Sequence, residues 1–344
     1  MTIQLLQTEH EQDAAPAQEV GDTLPELDDH LHLVARRFSA GNVVPFLGAG
    51  VNLAHRSGPF EQGRTLPSGA ELAKYLADEL GYPSRATTSD LLRVAQYVSL
   101  MLGTGDLYDA LRKIFNADYE CNEVHHFLAE LPDTLRAKGY QLPAQLIVTT
   151  NYDDVLERAF SEAGEPYDVV RYIAEGEDSG KFAHRLANGT ERVIREPNKY
   201  RELDLGKRTV ILKIHGAVDR INADKDSYVI TEDHYIDYLS YSDISSFIPV
   251  TLMAKLRESH LLFLGYSLGD WNLRVILRRI WRQQKLRRKS WAIQLHPLPM
   301  EKQLWAQRDV EIHDVSLDAY VRALRRRVEV LPTIAPGDTE EDAP

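Results

Sequence analysis

The 344-residue sequence contains a single cysteine, Cys121. One thiol excludes intrachain disulfides and any zinc centre assembled from several cysteines. Long apolar runs are absent as well; none approaches the roughly 20 residues needed to span a bilayer. The N-terminus has neither the basic nor the apolar region of a signal peptide, so the expected location is the cytoplasm. Basic residues are missing from both ends. Residues 1–29 carry eight Asp and Glu with no Lys or Arg, and residues 331–344 carry four more. Those twelve equal the formal net charge of −12, so the body between them is formally neutral. Both ends read as poorly ordered acidic tails. The remainder, within a chain of 43% hydrophobic and 27% charged residues, has the composition of a soluble globular protein. It is long enough for one large core or two modest ones.

Period and punctuation give an alternating α/β order. A helix is expected over residues 29–40, capped by an Asp and ended by Gly41. Val43–Leu47 reads as a buried strand that runs directly into Gly48-Ala49-Gly50. Four helices follow, opened at Ser68, at Ser89, near Leu107 and near Asn122, with no strand between them. Residues 68–140 are therefore expected to be a helical insertion. His125 and His126 lie within it, but adjacent positions do not share a helix face, so they do not form a metal pair. Strands are expected again at 145–149, 167–173, 209–214, 260–264, 291–295 and 310–315. Residues 174–207 read as an irregular polar excursion, and Ser316 caps a final helix. The expected fold is a doubly wound, mostly parallel Rossmann-like sheet spanning residues 30–330.

Four strands end in unusual chemistry. In open parallel sheets the carboxyl ends of strands are where ligands bind. Gly48-Ala49-Gly50-Val51-Asn52 has the strand-to-glycine turn that brings backbone amides to a phosphate, but it lacks a third glycine and equally suits an ordinary tight turn. Thr149-Thr150-Asn151-Tyr152-Asp153-Asp154 puts an amide and two carboxylates before a helix, where Asn151 suits an N-cap and Asp153 suits the helix dipole. Lys213-Ile214-His215-Gly216 ends a buried strand in an imidazole. His215 is either a catalytic base or a core histidine satisfied by a carbonyl. Gly265-Tyr266-Ser267-Leu268-Gly269-Asp270 closes the fourth.

Taken together and in order, the four motifs resemble the sirtuin-like NAD-consuming family over roughly residues 30–320. The spellings TTNYD and GYSLGDWN are similar to the bacterial branch found in antiphage defence, and a one-cysteine chain cannot build the four-cysteine zinc module of the protein deacylases. The resemblance implies hydrolysis of NAD to nicotinamide and ADP-ribose, without a metal. It implies His215 as the base, Asn151 as the group that orients water or a ribose hydroxyl, and Asp153 as a partner for the nicotinamide carboxamide. It also implies NAD contacts from Gly48, Ala49, Gly50, Asn52, Thr149, Gly216, Gly265, Tyr266, Ser267 and Asp270. The alternative is a module that binds or senses NAD or ADP-ribose without cleaving it.

Free NAD consumption would kill the host, so control is expected from self-assembly or from a separate polypeptide. The resemblance points to a nucleic-acid-translocating ATPase or a short Argonaute-type protein as that partner. The basic stretch 274–289, the arginines at 322–327 and the insertion are the candidate docking surfaces. Direct nucleic-acid binding is not expected of a neutral body with acidic tails.

Overall fold

The computed structural model describes residues 24–83, 88–141, 145–240, 248–266, 277 and 288–335. Ser267, Asp270 and most of the basic stretch lie outside them. In chain order the strands are β1 (Val43–Leu47), β2 (Leu146–Thr149), β3 (Tyr167–Tyr172), β4 (Phe182–Arg185), β5 (Glu191–Ile194), β6 (Thr209–Lys213), β7 (Gly216–Ala217), β8 (Ser227–Tyr228), β9 (His260–Leu264), β10 (Ser290–Gln294) and β11 (Val310–Asp314). Nine of them form one sheet in the order β11-β10-β9-β1-β2-β6-β3-β4-β5. From β11 to β3 every pairing is parallel. The short pair β7 and β8 is antiparallel and stands apart.

The expectation of a doubly wound, mostly parallel sheet is borne out. Parallel strands buried on both faces favour apolar side chains on both, which is why β1, β6 and β9 carry the apolar runs Val43–Leu47, Val210–Leu212 and Leu261–Leu264. In β1, Val44 and Phe46 enter one core with Leu252, Leu256 and Trp305. Val43 and Leu47 enter the opposite core with Val34, Phe38, Phe160 and Tyr320. A third core belongs to the helices Gly69–Glu79, Leu91–Met101 and Thr104–Phe115 together with Tyr152, Tyr228 and Ile230. These helices and Glu123–Ala137 fill the chain between β1 and β2. The order reverses at β1, whose neighbours are β2 on one side and β9 on the other. A crevice opens at such a switch point, beyond the carboxyl ends of the strands.

Several local expectations are corrected. Residues 174–207 are not wholly irregular: β4 and β5 pair antiparallel and extend the sheet beyond β3. The first helix is Asp28–Ser39, entered from a 3-10 turn at Pro25–Leu27 with no side-chain cap. Asp90 rather than Ser89 caps the helix Leu91–Met101, accepting from the Arg93 amide at 3.2 Å. The described parts of the expected tails, residues 24–29 and 331–335, are held against the body. Leu24, Leu27, Leu331 and Ile334 pack on the core, the Ile334 amide donates to the Lys138 carbonyl at 2.8 Å, and the Tyr140 hydroxyl donates to the Pro332 carbonyl. Two arginines of the final helix, Leu317–Glu329, are engaged internally: Arg325 pairs with Glu123 and Glu130, and Arg327 with Asp28.

Candidate active site

The carboxyl ends of β1 and β9 meet backbone to backbone. The Gly48 amide donates to the Leu264 carbonyl at 3.0 Å and the Gly50 amide to the Gly265 carbonyl at 2.9 Å. A Cβ on Gly48 or Gly50 would stand 2.7 or 2.6 Å from the Gly265 carbonyl oxygen. Gly265 has φ +69°, and a Cβ there would stand 2.2 Å from the Val51 amide nitrogen. The glycines are required by this contact. The amides of Gly48 and Gly50 are thereby engaged within the protein.

Thr149 closes β2 and is buried. Its hydroxyl donates to the Leu47 carbonyl at 3.1 Å and accepts from the Asn151 amide at 3.0 Å. It supports the loop from beneath, and the next residue, Thr150, borders the cavity. The Thr150 hydroxyl pairs with the Tyr266 hydroxyl at 2.8 Å. Asn151 does not cap the following helix, Val155–Glu162; Asp154 occupies that position. Its side-chain amide instead donates to the Gly48 carbonyl at 3.3 Å, across the switch point. Asp153, 4% exposed, accepts from the Val155 amide at 3.1 Å through Oδ1 and from Asn52 Nδ2 at 2.9 Å through Oδ2. An ionised carboxylate has about four acceptor sites, so two bonds leave it room for a further donor. Asn52 Oδ1 is buried and has no hydrogen-bond partner among the described residues.

His215 follows β6. Its carbonyl accepts from the Val229 amide at 2.9 Å, and its Nδ1 lies 3.4 Å from the Tyr235 hydroxyl. The imidazole is buried, and burial lowers its pKa from 6.5 to about 3. The ring is therefore neutral at physiological pH and can accept a hydrogen bond without first losing a proton. Gly216 turns the chain at φ +83°, where a Cβ would stand 2.1 Å from the Ser227 carbonyl oxygen. It shapes the turn after His215 and does not border the cavity.

One cavity of about 930 Å³ joins these parts. Ala49, Gly50, Asn52, Asn151, Asp153, His215, Gly265 and Tyr266 border it; Gly48, Thr149 and Gly216 do not. Its outer wall, which the motifs do not reveal, comes from Pro67–Ala70, Asp90–Leu92 and Phe115 of the insertion and from Ile293–Leu295 and Val315–Asp318. Two of those segments are the first turns of helices capped by Ser68 and Ser316. Helix first turns carry unsatisfied N–H groups and partial positive charge, which favour an anionic ligand. The Ala54–Leu66 loop between them is tied to both helices. Arg56 donates twice to Glu71, and the His55 amide donates to Asp318 at 3.2 Å. Burial raises the Glu71 pKa, but Arg56 and the Ser68 and Phe60 amides outweigh it and hold the carboxyl near 2.

Residues 145–313 match the family model of the SIR2-like domain. The chain is 31% identical over 255 residues to a protein named NAD(+) hydrolase ThsA from Enterococcus faecium, covering 72% of this chain and 42% of that protein. It is 27% identical over 268 residues to Defense-associated sirtuin 2 from Bacillus subtilis, covering 76% of this chain and 22% of that protein. A second protein named NAD(+) hydrolase ThsA, from Cytobacillus dafuensis, is 26% identical over 209 residues, covering 61% and 34%. The chain thus spans less than half the length of these relatives. The resemblance read from the four motifs is borne out.

Proposed function

Because the chain carries a SIR2-like domain, we propose that it cleaves NAD to nicotinamide and ADP-ribose with water as acceptor, as an effector of antiphage defence. The observation that carries this reading is the convergence of Asn52, Asn151, Asp153 and His215 on one cavity at the switch point of the sheet. Its volume of about 930 Å³ falls within the roughly 300–1,000 Å³ of small-molecule sites, at the upper end that a dinucleotide needs.

Cleavage of the nicotinamide ribosyl bond passes through an oxocarbenium-like state. The neutral His215 ring accepts the hydrogen bond of a ribose hydroxyl or of the attacking water. Asn151 orients that oxygen without adding charge. The remaining acceptor capacity of Asp153 receives the carboxamide N–H of nicotinamide, and the buried Asn52 Oδ1 takes a second donor from the substrate. The first turns at Ser68 and Ser316 favour the pyrophosphate. Control comes from homo-oligomerisation or from a partner, a nucleic-acid-translocating ATPase or a short Argonaute-type protein, that assembles with the chain.

Incubation with NAD followed by chromatography tests the reading. Nicotinamide and ADP-ribose should appear in equal amounts. His215→Ala and Asn151→Ala should each lower the rate by about 10²–10⁴-fold, the range of general acid–base assistance. Undiminished turnover in a folded His215→Ala protein overturns it. Tight NAD binding with no product, alone or with the product of the neighbouring gene, favours the sensing module instead.

A further inference from the structure

Lys213, the last residue of β6, is 1% exposed, and it stands two residues before His215. Its ammonium is 2.9 Å from Glu157 Oε1 on the helix Val155–Glu162, and Glu157 is itself 4% exposed. The same ammonium donates to the backbone carbonyl of Asp153. A buried ion pair contributes little net stability compared with a well-packed apolar pair, because removing both charges from water offsets their attraction. What an apolar pair could not supply is the third contact. Lysine presents three donors, and one of them holds the peptide that carries Asp153.

That peptide is central to the cavity. The Asp153 carboxylate borders it and is bonded to Asn52. Asn151 lies two residues upstream and reaches Gly48. We propose that Lys213 is a positioning residue: paired with Glu157, it fixes the Asn151–Asp153 loop relative to the strand end that bears His215. The inference rests on the NAD-cleaving reading for its kinetic consequence but not for its structural one.

The test uses the full chain and three variants: Lys213→Met, Glu157→Leu, and both together. Lys213→Met alone leaves Glu157 buried without its partner and lowers the melting temperature. The double variant removes both charges and recovers most of that loss. If Lys213 were merely structural, activity would recover along with stability. The expected result is that kcat for NAD stays down by about 10²-fold, the scale of an ångström-sized misplacement, while ADP-ribose affinity by calorimetry is close to wild type. Hydrogen exchange in the peptide 150–157 is the readout independent of chemistry, and it should be faster in the double variant. Wild-type kcat or wild-type exchange in that variant overturns the proposal. A wild-type chain with no cleavage under any condition overturns the NAD reading instead, and the exchange measurement then still decides the role of Lys213.

Discussion

Asn52 Nδ2 donates to Asp153 Oδ2 at 2.9 Å, joining the glycine loop after β1 to the loop after β2 across the floor of the cavity. The pair gives the carboxylate an uncharged donor. Asn52→Ala should destabilise the protein by about 1–3 kcal/mol, the usual result of leaving a buried acceptor short of a donor. Asn52→Asp should do more, since it sets two carboxylates face to face. Melting temperatures of wild type and both variants at pH 8 check this; an Asp variant no worse than the Ala variant counts against the pairing.

The glycines separate into two kinds. Gly265→Ala and Gly216→Ala place a Cβ 2.2 and 2.1 Å from backbone atoms at positive φ, so each should destabilise by about 3 kcal/mol or more. Gly105 lies in the helix Thr104–Phe115 with nothing within 4 Å of a new Cβ. Gly105→Ala should stabilise by about 0.5–1 kcal/mol. Urea denaturation of the three variants distinguishes them.

Acid should unfold the protein early. Burial lowers His30, His125 and His215 from 6.5 to about 3. The unfolded chain binds these protons near pH 6.5 while the folded one does not. Stability is therefore fully present above about 6.5 and declines as pH falls from there towards 3. Each ring contributes a slope approaching about 1.4 kcal/mol per pH unit. Denaturation midpoints at pH 7.5, 6.0 and 5.0 measure the slope. His125→Gln should flatten it, even if it lowers stability at pH 7.5.

Arg56→Ala should release one end of the Ala54–Leu66 loop by removing the twofold bond to Glu71 and the bond to the Leu66 carbonyl at 3.0 Å. Limited thermolysin digestion should then cut between residues 57 and 66 well before the rest of the described core. An unchanged digestion pattern would show that the His55–Asp318 contacts hold the loop alone.

What the sequence disclosed follows from range. β1, β6 and β9 were legible because burial on both faces favours an apolar run, and their ends were legible because glycine or histidine stops it. β4 and β5 were not: FAHR and ERVI sit in polar surroundings and become strands only by pairing with β3 and each other. The helix Pro299–Ala306 was missed because its eight residues carry little periodicity. The glycines of GAG signalled a tight approach, but the same signal serves amide donation to a ligand and contact with another loop. Choosing between them required Gly265, more than 200 residues away. Thr149 and Thr150 are adjacent and chemically alike; only the register of β2 assigns one to support and the other to the cavity. The outer wall depends on the packing of the insertion and left no local mark.

The contact of Gly48 and Gly50 with Gly265 gives the cavity one side that cannot yield. Two backbones in van der Waals contact, hydrogen-bonded in both places, have no rotamer to change and nowhere to recede. That side of the cavity is an anvil. The facing side is built differently: there the Ala54–Leu66 loop meets the Ser316 turn through His55 and Asp318. On the proposed function, substitutions in that facing wall should alter the association rate of NAD more than the rate of bond cleavage, and substitutions at the glycine seam the reverse.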